Sequence, residues 1–214
     1  KEEILDKKAQ ARFLRAYFYW LLLRKYGPIP LIPDETISID ETYTGMSYPR
    51  ATYDEVVDYI DKEMTLAAKD LPDRRDRQNI ARATRGAALA VRAKALLYSA
   101  SPLNNPLPDD PDKFTDFVDD QGRILMSQTY DESKWARAAA AAKDVIDLGR
   151  YELHTADYQD KGDNTYPATV KPPYNAKYSN KNFPDGWANI DPFESYRSIF
   201  NGDLYANENE ELIF

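Results

Sequence analysis

The sequence contains no cysteine, a single histidine (His154) and no long uncharged apolar run. Without cysteine there is neither a disulfide framework nor a thiolate metal site, and the redox compartment stays open. With one histidine, any histidine-based triad must use His154, and a multi-histidine metal centre is impossible within the segment. The stretch Ala16–Leu23 falls well short of the roughly 20 apolar residues that a membrane-spanning helix needs. No succession of charged, apolar and small residues marks a signal peptide at the start. Lys1 opens directly into amphipathic sequence, and Glu211-Leu212-Ile213-Phe214 stops inside an apolar run, so the chain is expected to be a fragment cut at both ends. A basic excess is also lacking. The 36 acidic residues outnumber 28 Lys and Arg, the net charge is −8, and the two signs are interspersed. Such a surface repels nucleic acid, so no nucleic-acid partner is expected. The one basic cluster, Arg74-Arg75-Asp76-Arg77, carries an acid beside turn residues and reads as a solvated loop.

What is present is helical periodicity. From Glu2 to Tyr26 the residues Leu5, Ala9, Phe13, Ala16, Tyr17, Trp20 and Leu23 recur at helical spacing, and Gly27 with Pro28 and Pro30 ends the element. Residues 29–51 hold Pro30, Pro33, Gly45 and Pro49 and predict an extended connection. Thr52-Tyr53-Asp54-Glu55 is a capping box opening a helix whose stripe is Val56, Ile60, Met64, Ala67 and Leu71, with Pro72 beyond it. Thr84 caps a third helix reaching about Ala100. Its small residues Gly86, Ala87, Ala88, Ala90, Ala93 and Ala95 permit close helix approach, with Leu89, Val91, Leu96, Leu97 and Tyr98 filling the remaining space. After a Pro- and Asp-rich excursion over 104–132, a fourth helix near Ser133–Leu148 carries Trp135, Ala138, Ala139, Ala142, Val145 and Ile146 and closes at Gly149.

The expected fold is mainly α, a scaffold resembling tetratricopeptide (TPR-like) packing over 1–148. The inserted loops, about 29–51 and 104–132, are too long for a regular repeat of about 34 residues. Over 149–214 the pattern changes to aromatic residues separated by Asp, Asn, Gly, Pro and Lys, without sustained period. This is an aromatic-rich, irregular, partly extended loop region of the same domain. Tyrosine dominates the aromatics, 16 against 8 Phe and 3 Trp, which suits partly wet positions.

Several blocks resemble the SusD/RagB family of outer-membrane nutrient-binding lipoproteins. Ala11-Arg12-Phe13-Leu14-Arg15-Ala16-Tyr17 with Tyr26-Gly27-Pro28-Ile29-Pro30-Leu31-Ile32 is similar to the family's opening helix and the turn after it. Arg50-Ala51-Thr52-Tyr53-Asp54-Glu55-Val56, Asp70-Leu71-Pro72, Arg82-Ala83-Thr84-Arg85-Gly86-Ala87-Ala88 and Ala95-Leu96-Leu97-Tyr98-Ser99-Ala100-Ser101-Pro102 follow in family order. Trp135, Ala139, Val145-Ile146 and Tyr151-Glu152-Leu153 match a later block, and Asn209-Glu210-Glu211-Leu212-Ile213-Phe214 resembles a family strand. The resemblance implies the N-terminal and central portion of a cell-surface protein, lipid-anchored to the outer membrane. Such a protein binds oligosaccharides or polysaccharides without catalysis and covers a SusC-like TonB-dependent transporter. The lipid-bearing N-terminal Cys of the family lies outside this segment.

For glycan binding the candidates are Tyr174, Tyr178 and Trp187, whose faces can stack on pyranose rings, with Asn175, Asn180 and Asp185 to hydrogen-bond hydroxyls. The competing use of such rings is to anchor the loop to the scaffold. No catalytic residues are assigned. The pairs Asp109-Asp110, Asp119-Asp120 and Glu210-Glu211 are sequence neighbours, whereas glycosidase chemistry needs carboxyls facing across a cleft. No resident cofactor or metal is expected. Calcium is the one cation weighed, at Asp160, Asp163 and Asn164 around Gly162, whose spacing departs from the EF-hand loop and which turn chemistry explains as well. Arg12, Arg15, Arg82 and Arg85 are expected to make ion pairs. The alternative function is a TPR-like scaffold for a protein or peptide, without sugar binding.

Overall fold

The computed structural model describes residues 2–34, 40, 42, 45, 47–110, 113–161, 167–206 and 208–213. The chain divides into two compact units, residues 1–148 and 149–213. The first holds α1 (Glu2–Tyr26), α2 (Tyr53–Asp70), α3 (Arg85–Ala100) and α4 (Ser133–Asp147); the second holds β1 (Ala156–Asp157), β2 (Ile190–Asp191) and α5 (Pro192–Ser198).

In the first unit each helix packs against the next in sequence. Neighbours run in opposite directions. Arg12 pairs with Glu63 while Tyr19 meets Tyr59, so α1 and α2 are antiparallel. Arg85 at the start of α3 donates to the Ala68 carbonyl near the end of α2, and Ser99 reaches back to Asp54. Arg92 joins Asp144 while Lys134 shares Asp54 with Ser99, which turns α4 against α3.

The caps form as local chemistry dictates. Thr52 Oγ1 accepts from Glu55 N (3.2 Å) and Thr52 N donates to Glu55 Oε2 (2.6 Å), a complete capping box. Thr84 Oγ1 accepts from Ala87 N. Gly27, at φ +69°, ends α1 with its N–H on the Leu23 carbonyl. The buried stripe of α1 is Ala9, Phe13, Ala16, Trp20 and Leu23, and that of α2 is Val56, Ile60, Met64, Ala67 and Leu71. Burying a side chain such as Phe13, Ile60 or Met64 contributes roughly 1.5–3 kcal/mol. Leu5, expected inside, is exposed, whereas the neighbouring Asp6 is held by Arg75 of the loop after α2. The described parts of 29–51 carry no helix or strand. Among the described residues no helix is long and apolar enough to cross a membrane.

Two helical faces differ from expectation. On α3 the buried residues are Gly86, Ala87, Ala88, Ala95, Leu96, Ser99 and Ala100, whereas Leu97 and Tyr98 are exposed. With 88, 95 and 99 facing inward, position 97 points away at 100° per residue, and 98 lies to one side, where Tyr98 meets the Trp20 ring edge-on at 5.1 Å. On α4 the inward strip is Lys134, Ala138 and Ala141, and Trp135 (41% exposed) and Ile146 lie outside. Ion pairs set this rotation. Lys134 Nζ sits 2.7 and 2.8 Å from the two oxygens of Asp54, and Arg137 spans Asp58 and Asp61.

The excursion over 104–132 is tied back to the helices. Tyr53 N donates to the buried Leu125 carbonyl, and Asn105 exchanges two hydrogen bonds with the Asp131 backbone. Arg12, Arg15 and Arg85 pair with Glu63, Asp34 and Asp73. The cluster read as a solvated loop is corrected at Arg75. Its side chain is only 9% exposed, makes a bidentate pair with Asp6 at 2.8 Å and donates twice to the Ala83 carbonyl.

In the second unit β1 and β2 pair antiparallel, Ala156 opposite Asp191 and Asp157 opposite Ile190. Helix α5 was not anticipated from periodicity. Its local signal is Asp191-Pro192-Phe193-Glu194, where Asp191 Oδ1 accepts from Phe193 N and Glu194 N and Pro192 occupies the first turn. Of residues 209–214, which resemble a family strand, those described, 209–213, form none here. Their backbone links to the preceding chain include Glu152 N to the Glu210 carbonyl at 3.4 Å and the turn bond from Asn209 N to the Tyr205 carbonyl, and a strand needs a ladder.

Replacing Arg75 with Gln should destabilise the protein by about 2 kcal/mol, because a buried carbonyl and a carboxylate lose charge-assisted donors. The check is a lowered urea midpoint at unchanged slope. The Arg75 hydrogen bonds hold the Asp6 carboxyl below its ordinary pKa. Its stabilisation is therefore complete above the ordinary carboxylate range and is lost as pH falls through the folded value. Arg75→Gln should remove that part of the acid dependence.

Candidate functional site

The second unit contains a cleft of about 500 Å³, within the range of small-molecule sites. One wall is built by the short sheet and the chain entering it. Tyr158 N donates to the Asn189 carbonyl, Gln159 N to Thr169 Oγ1 and Thr169 N to the Gln159 carbonyl, which brings Tyr158, Thr169 and Lys171 to one side. The opposite wall comes from the loop 174–189. Asn175 starts it as a turn, its Oδ1 accepting from Lys177 N and its carbonyl from Tyr178 N and Ser179 N.

Trp187 returns to this turn through its N–H on the Tyr178 carbonyl, and Ala188 N donates to the Lys181 carbonyl at 2.8 Å. Gly186 makes the return possible. A Cβ there would collide with the backbone carbonyls of Tyr178 and Lys181, so only glycine fits.

Of the six sequence candidates, Tyr174, Asn180 and Trp187 line the cleft. Asn180 Nδ2 donates to the Tyr174 hydroxyl at 3.0 Å, fixing one edge of a ring that is 72% exposed. Tyr178 lies behind Trp187, ring centroids 5.7 Å apart, with the Lys177 ammonium 4.9 Å from its own centroid. Asn175 spends its side-chain oxygen on the turn, and Asp185 is exposed outside the cleft lining.

Among the lining residues that sequence reasoning did not single out are Tyr158, Thr169, Lys171 and Ser179. The Tyr158 hydroxyl donates to Asp160 Oδ1 (2.9 Å), and the Lys171 ammonium lies 5.1 Å from the Tyr158 centroid. Hydrogen bonding to Tyr158, and then the nearby negative charge, hold the Lys171 pKa above its ordinary value. One carboxylate and one ammonium leave this wall without net charge, a surface suited to a neutral, hydroxyl-rich ligand. Only the aromatic content of the segment hinted at Tyr158, because the pairing across Gln159 and Thr169 has no local signal. Among the described residues no cluster of His, Asp and Glu could hold a metal ion. The calcium expectation at Gly162, Asp163 and Asn164 lies outside the described residues, and Asp160 serves Tyr158.

Comparisons with known proteins follow the same blocks. Residues 1–97 match the SusD-like family model described as "Starch-binding associating with outer membrane". Comparison with curated proteins finds no match. The solved structure BT4246 superposes with a TM-score of 0.62 at 40% identity, over 73% of this chain and 27% of that one. A SusD-like protein from Bacteroides fragilis gives 0.59 at 20% identity, over all of this chain and 27% of that one, a likeness of fold. A crystal structure with xylogluco-oligosaccharide gives 0.50 at 25% identity, over 73% and 26%. The chain thus spans about a quarter of the length of these structures.

Gly186→Ala should force the loop open and cost about 1–3 kcal/mol by overpacking. Near-ultraviolet circular dichroism should report loss of the Tyr178–Trp187 packing, while far-ultraviolet helical signal persists.

Proposed function

We propose that this chain, a SusD-like protein over its first 97 residues, binds glycans non-catalytically at the bacterial cell surface. The observation that carries this reading is the convergence of Tyr174, Asn180 and Trp187 on one cleft. Tyr174 presents an open ring face of the kind that covers the apolar face of a pyranose, and its edge is held in place by Asn180. Asn180, Thr169, Ser179, Lys171 and Asp160 supply donors and acceptors for hydroxyl groups around it.

The finer parts of the proposal rest on family likeness. The chain works within a longer protein attached by lipid to the outer membrane and delivers captured oligosaccharide to a SusC-like TonB-dependent transporter. The family description, with its outer-membrane association, supports this placement, and the structure with xylogluco-oligosaccharide supports an oligosaccharide as ligand. Capture is proposed to proceed without bond chemistry, a reading that the family description, which names binding, supports.

Calorimetric titration with a panel of neutral oligosaccharides, beginning with xylogluco-oligosaccharide, tests the reading. At least one should bind, and Trp187→Ala and Tyr174→Ala should each weaken it by about tenfold, the loss of one ring contact. No turnover of a chromogenic glycoside is expected. Absence of binding across the panel, with the fold intact, would sink the proposal.

A further inference from the structure

The helical unit carries a second cavity, of about 420 Å³ and open to solvent, which glycan binding in the other unit leaves unused. Its lining is chiefly apolar and aromatic, with Leu23, Tyr98, Leu103, Phe114, Phe117 and Met126 around it. Two polar side chains are buried in that lining, Tyr53 at 5% and Asn104 at 6% exposure. Asn104 Nδ2 donates to the Tyr53 hydroxyl at 3.1 Å and to the Tyr98 carbonyl at 2.8 Å. Among the described residues no group donates to Asn104 Oδ1, and none accepts from the Tyr53 hydroxyl. Buried polar groups are as a rule paired, and the space into which these two open is the cavity itself. Burial, and then the nearby Asp54, push the Tyr53 pKa up to about 12, so its hydroxyl remains a donor at ordinary pH.

At the border of the cavity stands Arg24. Its guanidinium lies 5.5 Å from the Trp20 ring centroid. Arg12, Arg75, Arg92 and Arg137 all meet carboxylates. Arg24, itself exposed, meets none among the described residues, as is also true of Arg50, Arg74, Arg77 and Arg82. A cation without an acid, an apolar aromatic wall and an unused donor–acceptor pair are together complementary to one kind of molecule.

We propose that this cavity binds a phenolic carboxylate. The aromatic ring packs among Tyr98, Leu103, Phe114 and Phe117, and the carboxylate pairs with Arg24. The ring hydroxyl accepts from Tyr53 and donates to Asn104 Oδ1, since a hydroxyl can do both. The same chemistry is offered by a free phenolic acid and by the C-terminal tyrosine of a peptide. Neither needs the glycan cleft.

The test is a saturation-transfer NMR titration of the protein with four probes: 3-(4-hydroxyphenyl)propionate, its methyl ester, 3-phenylpropionate and the tripeptide Ala-Ala-Tyr. The free acid should bind saturably and more tightly than its ester. Arg24→Gln should weaken the acid by about tenfold, the loss of one charge-assisted contact, and leave the ester unchanged. Tyr53→Phe should reduce the preference for the hydroxylated acid over 3-phenylpropionate by about fivefold. Helical circular dichroism should be unaltered in both variants, and Trp187→Ala should bind the acid as the parent does. Ala-Ala-Tyr binding with the same Arg24 dependence supports the proposal with a peptide terminus as source; binding of the free acid alone supports it with a small molecule. Absence of saturable binding by every probe, or equal affinity of the acid for the parent and Arg24→Gln, overturns it.

Discussion

The backbone of α3 can be approached from two sides because Gly86, Ala87, Ala88 and Ala95 place almost nothing between it and its neighbours. Both α2 and α4 use that access, and the core of the helical unit is built around the result. Close approach substitutes backbone contact for side-chain bulk. It strengthens dispersion at short range, yet small residues alone do not specify which way a neighbouring helix is turned. Large side chains provide that on the α1–α2 side, where Phe13, Trp20, Ile60 and Met64 interdigitate. The α3–α4 side lacks them.

Charge provides it there instead. Arg92 of α3 pairs with Asp144 of α4, while Lys134 and Arg137 of α4 reach Asp54, Asp58 and Asp61 of α2. Desolvating a lysine is costly, and a pair of this kind contributes more to orientation than to net stability. The net charge of −8 therefore does not describe the interior, where basic groups are matched one by one. Arg24 lies outside that interior, exposed near the end of α1. Without an acid among the described residues, it borders the cavity whose Tyr53–Asn104 pair also has bonding capacity to spare.

How much was legible depended on range. The capping box at Thr52, the cap at Thr84 and the stop at Gly27 are decided within four residues, and all were readable in advance. The same kind of signal at Asp191-Pro192-Phe193-Glu194 was readable too, but no long periodic stripe drew attention to a seven-residue helix. The face of α4 was misjudged because Trp135 and Ile146 share a helical stripe with alanines, and hydrophobicity favours that stripe until Asp54 is seen opposite Lys134. Arg75 was taken for solvent because its partners, Asp6 and the Ala83 carbonyl, are invisible to a local reading. In the cleft, Tyr174, Asn180 and Trp187 come from one loop and could be named together; Tyr158, Thr169 and Lys171 arrive from another segment.

By itself the sequence determined the four long helices, their ends, the mainly helical class and the family likeness, because each rests on residues within a turn or two of one another or on motifs in linear order. The tertiary structure decided which face of α4 is buried, that Arg75 is a structural strut, and which of the aromatic residues after Gly149 share a cleft. It also decided the cavity at Arg24, Tyr53 and Asn104, three residues from separate stretches of chain. The physical reason is common to all of these. Burial, ion pairing and cavity formation depend on which groups meet across space, and residues far apart in sequence meet only where packing has already brought their backbones together.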